Sequence, residues 1–342
     1  MDTRHARAHT STLVRCAAAL TAGLIAGACA TGGGGGAAQR DAEIRQERAQ
    51  EWVSAADEAT RRGETRRAID LLTRAIETNP LLSSAHLKLG DIYRLDGDFG
   101  SAERAYGQAA RLTPRDFDAQ YNHGLMLHAL ARLADAIGAY LRALQVRPDD
   151  FQTNLNLSVA YYQLAEYAEA GPYAERSVRL SPADGSARFN LGLIYAAQGR
   201  HDAAVVELQQ ATESLPLNRR LLLALGGSLG RLERWAEARN VLETLTRQEP
   251  APDAHERLGF ALWQLGEYAA AEDQFRAAVA LDERYFPAIN GLAITALNKW
   301  HWSQEDGRPD PASRQRGVDL LRRSIQVNPD QPAVIDLLAR YR

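Results

Sequence analysis

Cysteine is nearly absent from this chain. Cys16 and Cys29 are the only two, and both lie within the first thirty residues. The long remainder therefore offers no thiol for a disulfide, a thiolate metal site or a nucleophile. Charge of one sign is lacking as well: 40 lysines and arginines stand against 43 aspartates and glutamates, a net charge of -3. A chain without a broad basic field is a poor match for nucleic acid as its main partner. Long apolar runs are missing too. The uncharged stretch Cys16 to Ala28 is the longest, and it falls short of the roughly 20 apolar residues that a permanent bilayer span needs. Catalytic signatures do not occur: there is no glycine-rich phosphate loop, no HExxH, no G-x-S-x-G and no metal-ligand spacing. Glu305 and Asp306 beside Trp302 form a common surface pattern and do not suggest acid–base chemistry. No catalytic residue, metal or cofactor is expected.

What the chain does have is a period. The segment Ser83 to Asp116 reads as two short helices, with Leu89, Gly90 and Tyr93 on one face of the first and Ala102, Tyr106 and Ala109 on one face of the second. The small residues allow close approach of the two backbones, and the tyrosines fill the space that is left. Asp96-Gly97-Asp98 supplies the turn and Pro114 the stop. Shifting the frame by 34 residues carries Leu89-Gly90 onto His123-Gly124, Leu157-Ser158, Leu191-Gly192 and Leu225-Gly226. The same shift carries Ala102 onto Ala136, Ala170, Ala204 and Ala238, and the proline onto Pro148, Pro182, Pro216 and Pro250, with Pro80 one frame earlier.

This pattern resembles the tetratricopeptide repeat, a 34-residue helix–turn–helix unit. A chain of 342 residues would otherwise suggest about two domains. The resemblance instead implies one all-α body, a right-handed α-solenoid (superhelix) of about eight such repeats with a C-terminal capping helix. The solenoid is expected over 41–342, with repeats near 49–82, 83–116, 117–150, 151–184, 185–218, 219–251, 252–285 and 286–331, and a cap at 332–342. The first repeat lacks the Leu-Gly pair, as suits a terminal unit whose outer face meets solvent.

Ahead of the solenoid, Arg4, Arg7 and Arg15 followed by the Ala- and Leu-rich run have the form of a secretory signal over 1–29. Ala26-Gly27-Ala28-Cys29 resembles a bacterial lipobox, which implies lipidation of Cys29, with Ala26 standing where leucine is usual. The alternative is cleavage after Ala30, with Ala28 and Ala30 as an A-x-A site, which releases a soluble protein. Residues 30–40, with the glycines Gly32 to Gly36, are expected to be a flexible tether behind the anchor. Since Ala30 rather than aspartate follows the cysteine, the resemblance implies sorting to the periplasmic face of the outer membrane, the soluble periplasm being the alternative.

In this family the first helix of each unit lines a concave groove. The residues so placed are Lys88 and Arg94 in the second repeat, Tyr121 and Asn122 in the third, Asn156 and Tyr162 in the fourth, and Phe189 and Asn190 in the fifth. Asn122, Asn156 and Asn190 recur at one place and resemble the asparagine ladder of O-GlcNAc transferase repeats. An amide offers both donor and acceptor to an extended peptide whatever its sequence. The alternative is that asparagine is merely tolerated at a solvated position. Lys88 and Arg94 are the only residues placed for a carboxylate clamp.

His123 occupies a packed position and reads as a hydrogen-bonded core histidine; Tyr140, Tyr161 and Tyr195 read as core. The sixth repeat combines Leu221-Leu222-Leu223 with Gly226-Gly227 and Gly230, either an apolar binding floor or a close helix contact. The seventh turns Glu256, Phe260 and Trp263 to the groove. An insertion within 298–314 carries Trp300, His301 and Trp302, a possible contact loop, although Trp300 would also suit an extended helix covering the end of the core.

The expected function is a non-enzymatic scaffold or adaptor that holds an extended peptide or partner protein in the groove. Tetratricopeptide lipoproteins of the outer membrane serve in pilus and secretion-channel assembly and as adaptors for peptidoglycan enzymes, and the resemblance implies that range. The alternative is a soluble periplasmic chaperone or adaptor. The membrane is expected as a partner through the lipid alone, and the sequence leaves the oligomeric state open.

Overall fold

A computed structural model describes residues 33–341. The signal, the lipobox and Cys29 lie outside the described residues. Seventeen helices and no strand occur among the described residues. They come in antiparallel pairs: α1 (Gly33–Arg61) with α2 (Thr65–Thr78), α3 (Ser83–Leu95) with α4 (Phe99–Leu112), α5 (Phe117–Ala129) with α6 (Leu133–Val146), and α7 (Phe151–Gln163) with α8 (Tyr167–Leu180). The pairing continues with α9 (Gly185–Ala197) and α10 (His201–Ala211), α11 (Arg219–Arg231) and α12 (Trp235–Gln248), α13 (Pro252–Gln264) and α14 (Tyr268–Leu281), then α15 (Phe286–Glu305) and α16 (Pro311–Val327). The short α17 (Pro332–Arg340) packs on α16 and closes the stack.

The repeated glycine explains the pairing. A methyl group added at Gly90 would stand 2.7 Å from the Tyr106 ring, and one at Gly124 2.8 Å from Tyr140; Gly192 meets Leu208 at 2.7 Å and Gly259 meets Phe275 at 2.8 Å. Each glycine thus seats the large residue sixteen positions later, on the second helix of its own pair. Where Ser158 replaces the glycine, the residue sixteen later is the small Ala174. Size at one position compensates for size at the other. Tyr106 and Tyr140 are fully buried in consequence, and Tyr195 is nearly so, while Tyr161 is half-buried.

The turns between paired helices repeat as well. Gly63, Gly97, Ala131, Ala165, Gly199, Glu233 and Gly266 all have φ between 57° and 79°. This is the left-handed region, which glycine enters without steric cost and an L side chain does not. The starts of the odd-numbered helices are capped in the same rhythm: the side chains of Asp116, Asp150, Asp184 and Asn218 accept from the backbone N–H three residues on.

Two segments differ from expectation. The stretch 30–40 was expected as a tether, yet α1 already runs from Gly33. Once the charged, helix-favouring 37–50 segment is helical, extending it by a residue adds a hydrogen bond without a new nucleus, which offsets the poor helical propensity of glycine. The insertion is the other. Instead of forming a loop over 298–314, it lengthens α15 to 20 residues and α16 to 17, with only 306–310 between them.

Candidate functional site

Odd-numbered helices form one wall of the stack. Besides its own partner, α5 touches α7, α7 touches α9, α9 touches α11 and α13 touches α15, whereas no two even-numbered helices are in comparable contact. The odd helices therefore sit closer together, on the inner side of the curve. Along this wall the sequence places its candidate residues, and the geometry divides them into bound and free.

At the N-terminal end the two clamp cations are engaged. Lys88 Nζ lies 2.7 Å from Asp57 Oδ1 across the repeat boundary. Arg94 Nε donates to Tyr106 Oη at 3.3 Å, and that hydroxyl donates to Asp91 Oδ1 at 2.6 Å. Burial pushes the Tyr106 phenol well above its ordinary range, so it stays a neutral donor. A free pair of cations for a peptide carboxylate is not found here, because Asp57 holds Lys88 and the Tyr106 hydroxyl engages Arg94.

The three asparagines do not form a ladder of equivalent groups. Asn122 is half-buried and has no hydrogen-bond partner among the described residues. Asn156 donates from Nδ2 to Tyr121 Oη at 3.3 Å and accepts from Gln152 Nε2 at 3.1 Å. Asn190 is buried, 7% exposed, and donates from Nδ2 to Ser158 Oγ at 2.7 Å. The serine in place of glycine on α7 supplies an acceptor that the neighbouring repeats lack, and it draws Asn190 into the core. Sequence spacing gave the three residues one register but could not register this local exchange. Around them, Tyr121 stacks on Phe117 at 5.8 Å, Tyr162 lies 5.5 Å from Tyr167, and the Arg220 guanidinium covers the Phe189 ring at 5.7 Å.

His123 takes the expected role. Its Nε2 lies 3.2 Å from Glu103 Oε1, and burial holds its pKa below the ordinary value against the pull of that carboxylate.

Toward the C-terminal end the wall opens. α11 and α13 do not pack on one another as the other neighbouring odd helices from α5 to α15 do, and a cavity of about 580 Å³ lies between them. Its side-chain-free wall is Gly226, Gly227 and Gly230 of α11; Ala238 and Leu242 of α12 also line it, and Glu256, Arg257 and Phe260 of α13 stand opposite. Trp235 closes one end. The apolar floor expected in the sixth repeat is therefore a recess whose open ground is Gly227, where a methyl group would find only the Arg257 guanidinium, at 3.8 Å, while Gly226 is a close helix contact with Leu242 (3.1 Å) and Gly230 with Trp235 (3.2 Å).

From this recess a run of rings crosses four helices. Trp235 meets Phe260 edge-on at 5.6 Å, Phe260 stacks on Trp263 at 6.5 Å, Trp263 meets Tyr268 at 6.2 Å, and Tyr268 lies 4.4 Å from Trp302. Phe260 is 44% exposed and Trp302 37%. Trp302 thus belongs to the rim of the groove, and it is the lengthened α15 that carries it there. Trp300 instead packs inward on Tyr341 at 5.6 Å, which makes it a cover for the end of the core, and His301 is exposed beside it. Trp235 and Tyr268 were missed as site residues. The signal was present: they open the second helices of successive repeats, where Tyr167 and Phe99 also stand, and Trp302 follows Tyr268 by 34 residues.

Glu256 is the unusual polar group of the recess. It is half-buried and has neither a hydrogen bond nor an ion pair among the described residues. Burial pushes its carboxyl above the ordinary value, opposed by the charge of Arg257 and assisted by Asp253. Among the described residues there is no group of three or more histidines, cysteines, aspartates or glutamates placed to hold a metal, and no helix long and apolar enough to cross a membrane.

Stacked helix pairs with an open inner wall define a helical-repeat scaffold, a class whose members work by holding other chains. The chain belongs to the tetratricopeptide repeat family, whose model matches residues 53–111, 96–152, 155–219 and 223–285. No curated protein matches it. Among solved structures, it is similar to Pseudomonas aeruginosa pilF at 22% identity over 60% of this chain and 94% of that one, with a TM-score of 0.48. A tetratricopeptide repeat protein from Parabacteroides merdae is 18% identical over 73% of this chain and 99% of that one, with a TM-score of 0.48. YrrB, described as a tetratricopeptide repeat protein with an unusual peptide-binding site, is 19% identical over 58% of this chain and 97% of that one, with a TM-score of 0.49.

Proposed function

We propose that this chain is a non-enzymatic adaptor that holds an extended segment of a partner protein along its inner wall, with its principal contacts at the recess between α11 and α13. The observation that carries this reading is the recess itself: glycines on one side, the exposed Phe260 ring on the other, and no segment filling it among the described residues. Burial of rings such as Phe260 and Trp302 supplies affinity, and the free amide of Asn122 supplies a sequence-tolerant hydrogen bond further along. A photo-crosslinking residue at Gly227 tests it, with one at Asp319, exposed on α16, as control. A partner captured from position 227 and absent from position 319 supports the reading. Equal capture from both refutes it.

We also infer that the adaptor works at the bacterial envelope, held to the outer membrane by lipid on Cys29, in pilus, secretion or wall assembly. The residues Ala26-Gly27-Ala28-Cys29 behind a basic and then apolar leader support this. Each buried methylene of an acyl chain contributes about 0.8 kcal/mol, so two or three chains suffice for stable anchoring. Cells expressing the full chain should incorporate labelled palmitate into it, and Cys29→Ala should abolish the label. Undiminished label in that variant, or none in the parent, refutes the anchor and leaves the soluble periplasmic adaptor.

A further inference from the structure

We propose that the recess between α11 and α13 is a specificity pocket for a cationic side chain, an arginine or lysine carried by the bound polypeptide, with Glu256 as its counter-charge and Trp235 and Phe260 as its aromatic walls. This rests on the reading of the inner wall as a polypeptide-binding surface and adds to it what that surface selects.

Three independent observations converge on a cation. The first is Glu256. A half-buried carboxylate normally recovers its lost hydration from a donor within the protein, and this one has none among the described residues. Burial raises its pKa, so the charged form is costly to the free protein at neutral pH. A group kept at such a cost, with no structural partner, is set up to receive one from outside.

The second is the ring geometry. Trp235 and Phe260 meet at 79°, forming a corner that opens on the same cavity as Glu256. Ring faces attract cations, and elsewhere this chain uses its own to do so: Arg74 covers Trp52, Arg147 covers Phe117, Arg200 covers Tyr195 and Arg220 covers Phe189. Among the described residues no cation covers Trp235 or Phe260. The third is room. Gly227 removes a side chain from the facing helix, Gly230 lets the Trp235 ring come close, and the space of about 580 Å³ admits a long unbranched side chain with its backbone lying across the mouth.

Arg231 and Arg257 also line the cavity, and both are exposed. Solvent and salt screen exposed charges, whereas Glu256 acts at short range from partial burial. The two guanidiniums are donors for the carbonyl oxygens of an extended chain, on either side of its inserted cation.

The test selects random peptides displayed on phage against the intact protein. Selected peptides should share an arginine or lysine at one position. Replacing that arginine by citrulline, or that lysine by norleucine, should weaken binding at least about tenfold, as befits a lost charge-assisted hydrogen bond. Against Glu256→Gln, the preference for the charged peptide should shrink to the smaller part that the ring faces alone supply, and this variant should melt no lower than the parent, which shows that folding is intact. Selected peptides without a common cation, or neutral analogues that bind as tightly, overturn the proposal while leaving the inner wall as a binding surface. A selection that yields no peptide at all overturns that reading and this one together.

Discussion

Asn190 is where the geometry of the wall makes its sharpest demand. The Ser158 hydroxyl carries a single hydrogen and donates it to Leu155 O at 2.7 Å, so toward Asn190 it can only accept. Asn190 must then present its NH2, which fixes the orientation of the amide. Truncation by Asn190→Ala removes a buried neutral hydrogen bond, worth about 0.5–1.5 kcal/mol net, and leaves a small void; together the loss should be about 1–2 kcal/mol. Ser158→Ala strands the NH2 in the core and should cost about 1–3 kcal/mol. In the double variant both partners are gone, so the loss should fall short of the sum, with a coupling of about 0.5 kcal/mol or more. Asn122→Ala, which removes no internal bond, should stay within about 0.5 kcal/mol of the parent. Repeat arrays unfold in parts, so urea unfolding followed by circular dichroism should be joined to hydrogen exchange read out over α7 and α9. The reasoning is refuted if Asn190→Ala leaves protection there unchanged while weakening a groove-bound peptide as much as Asn122→Ala does. That outcome would restore Asn190 to a ligand-facing ladder.

Gly124→Ala should destabilise by about 1–2 kcal/mol, since a methyl group 2.8 Å from the fully buried Tyr140 ring costs more by overpacking than the gain in helix propensity returns. Gly138→Ala, whose nearest neighbour is the flexible tip of Arg142 at 3.5 Å, should instead stabilise by up to about 1 kcal/mol; urea midpoints of the two variants would have opposite signs. For pH, burial depresses the folded-state pKa of His123 and of His128 below the ordinary 6.5, so between the folded value and 6.5 the unfolded chain binds more protons. Stability should therefore fall as pH drops from 6.5 through that window, and His123→Gln should make the fall in urea midpoint smaller; an unchanged fall would rule out His123 as a contributor.

The fold was legible because most repeats write their packing twice, once as a small residue and once as a large one sixteen positions on. Gly90 with Tyr106, Gly124 with Tyr140 and Gly259 with Phe275 make contact within a helix pair, so the contact stays at short range in sequence and recurs with the period. The wall was legible as a set of positions for the same reason. What each position does was not, because that depends on neighbours one repeat away, where the sequence holds no record of distance. Lys88 is placed for a carboxylate but meets Asp57; Asn190 is placed for a peptide but meets Ser158. The insertion, expected as a contact loop with an extended helix at Trp300 as the alternative, turns the chain only at 306–310, while the preceding Lys299 to Glu305 continue the helix and bring Trp302 to 4.4 Å from Tyr268.

The same logic bears on why the recess sits where it does. Elsewhere along the wall Lys88 is met by Asp57 and Asn190 by Ser158, each on the neighbouring odd helix, and local pairing quenches them. Between α11 and α13, Arg219 reaches Asp253 at the start of both helices, but further along Gly227 places no side chain before Glu256 and Phe260. The donors and walls of a binding site remain unused only where packing has been withheld, and along the inner wall that condition is met most fully at Glu256.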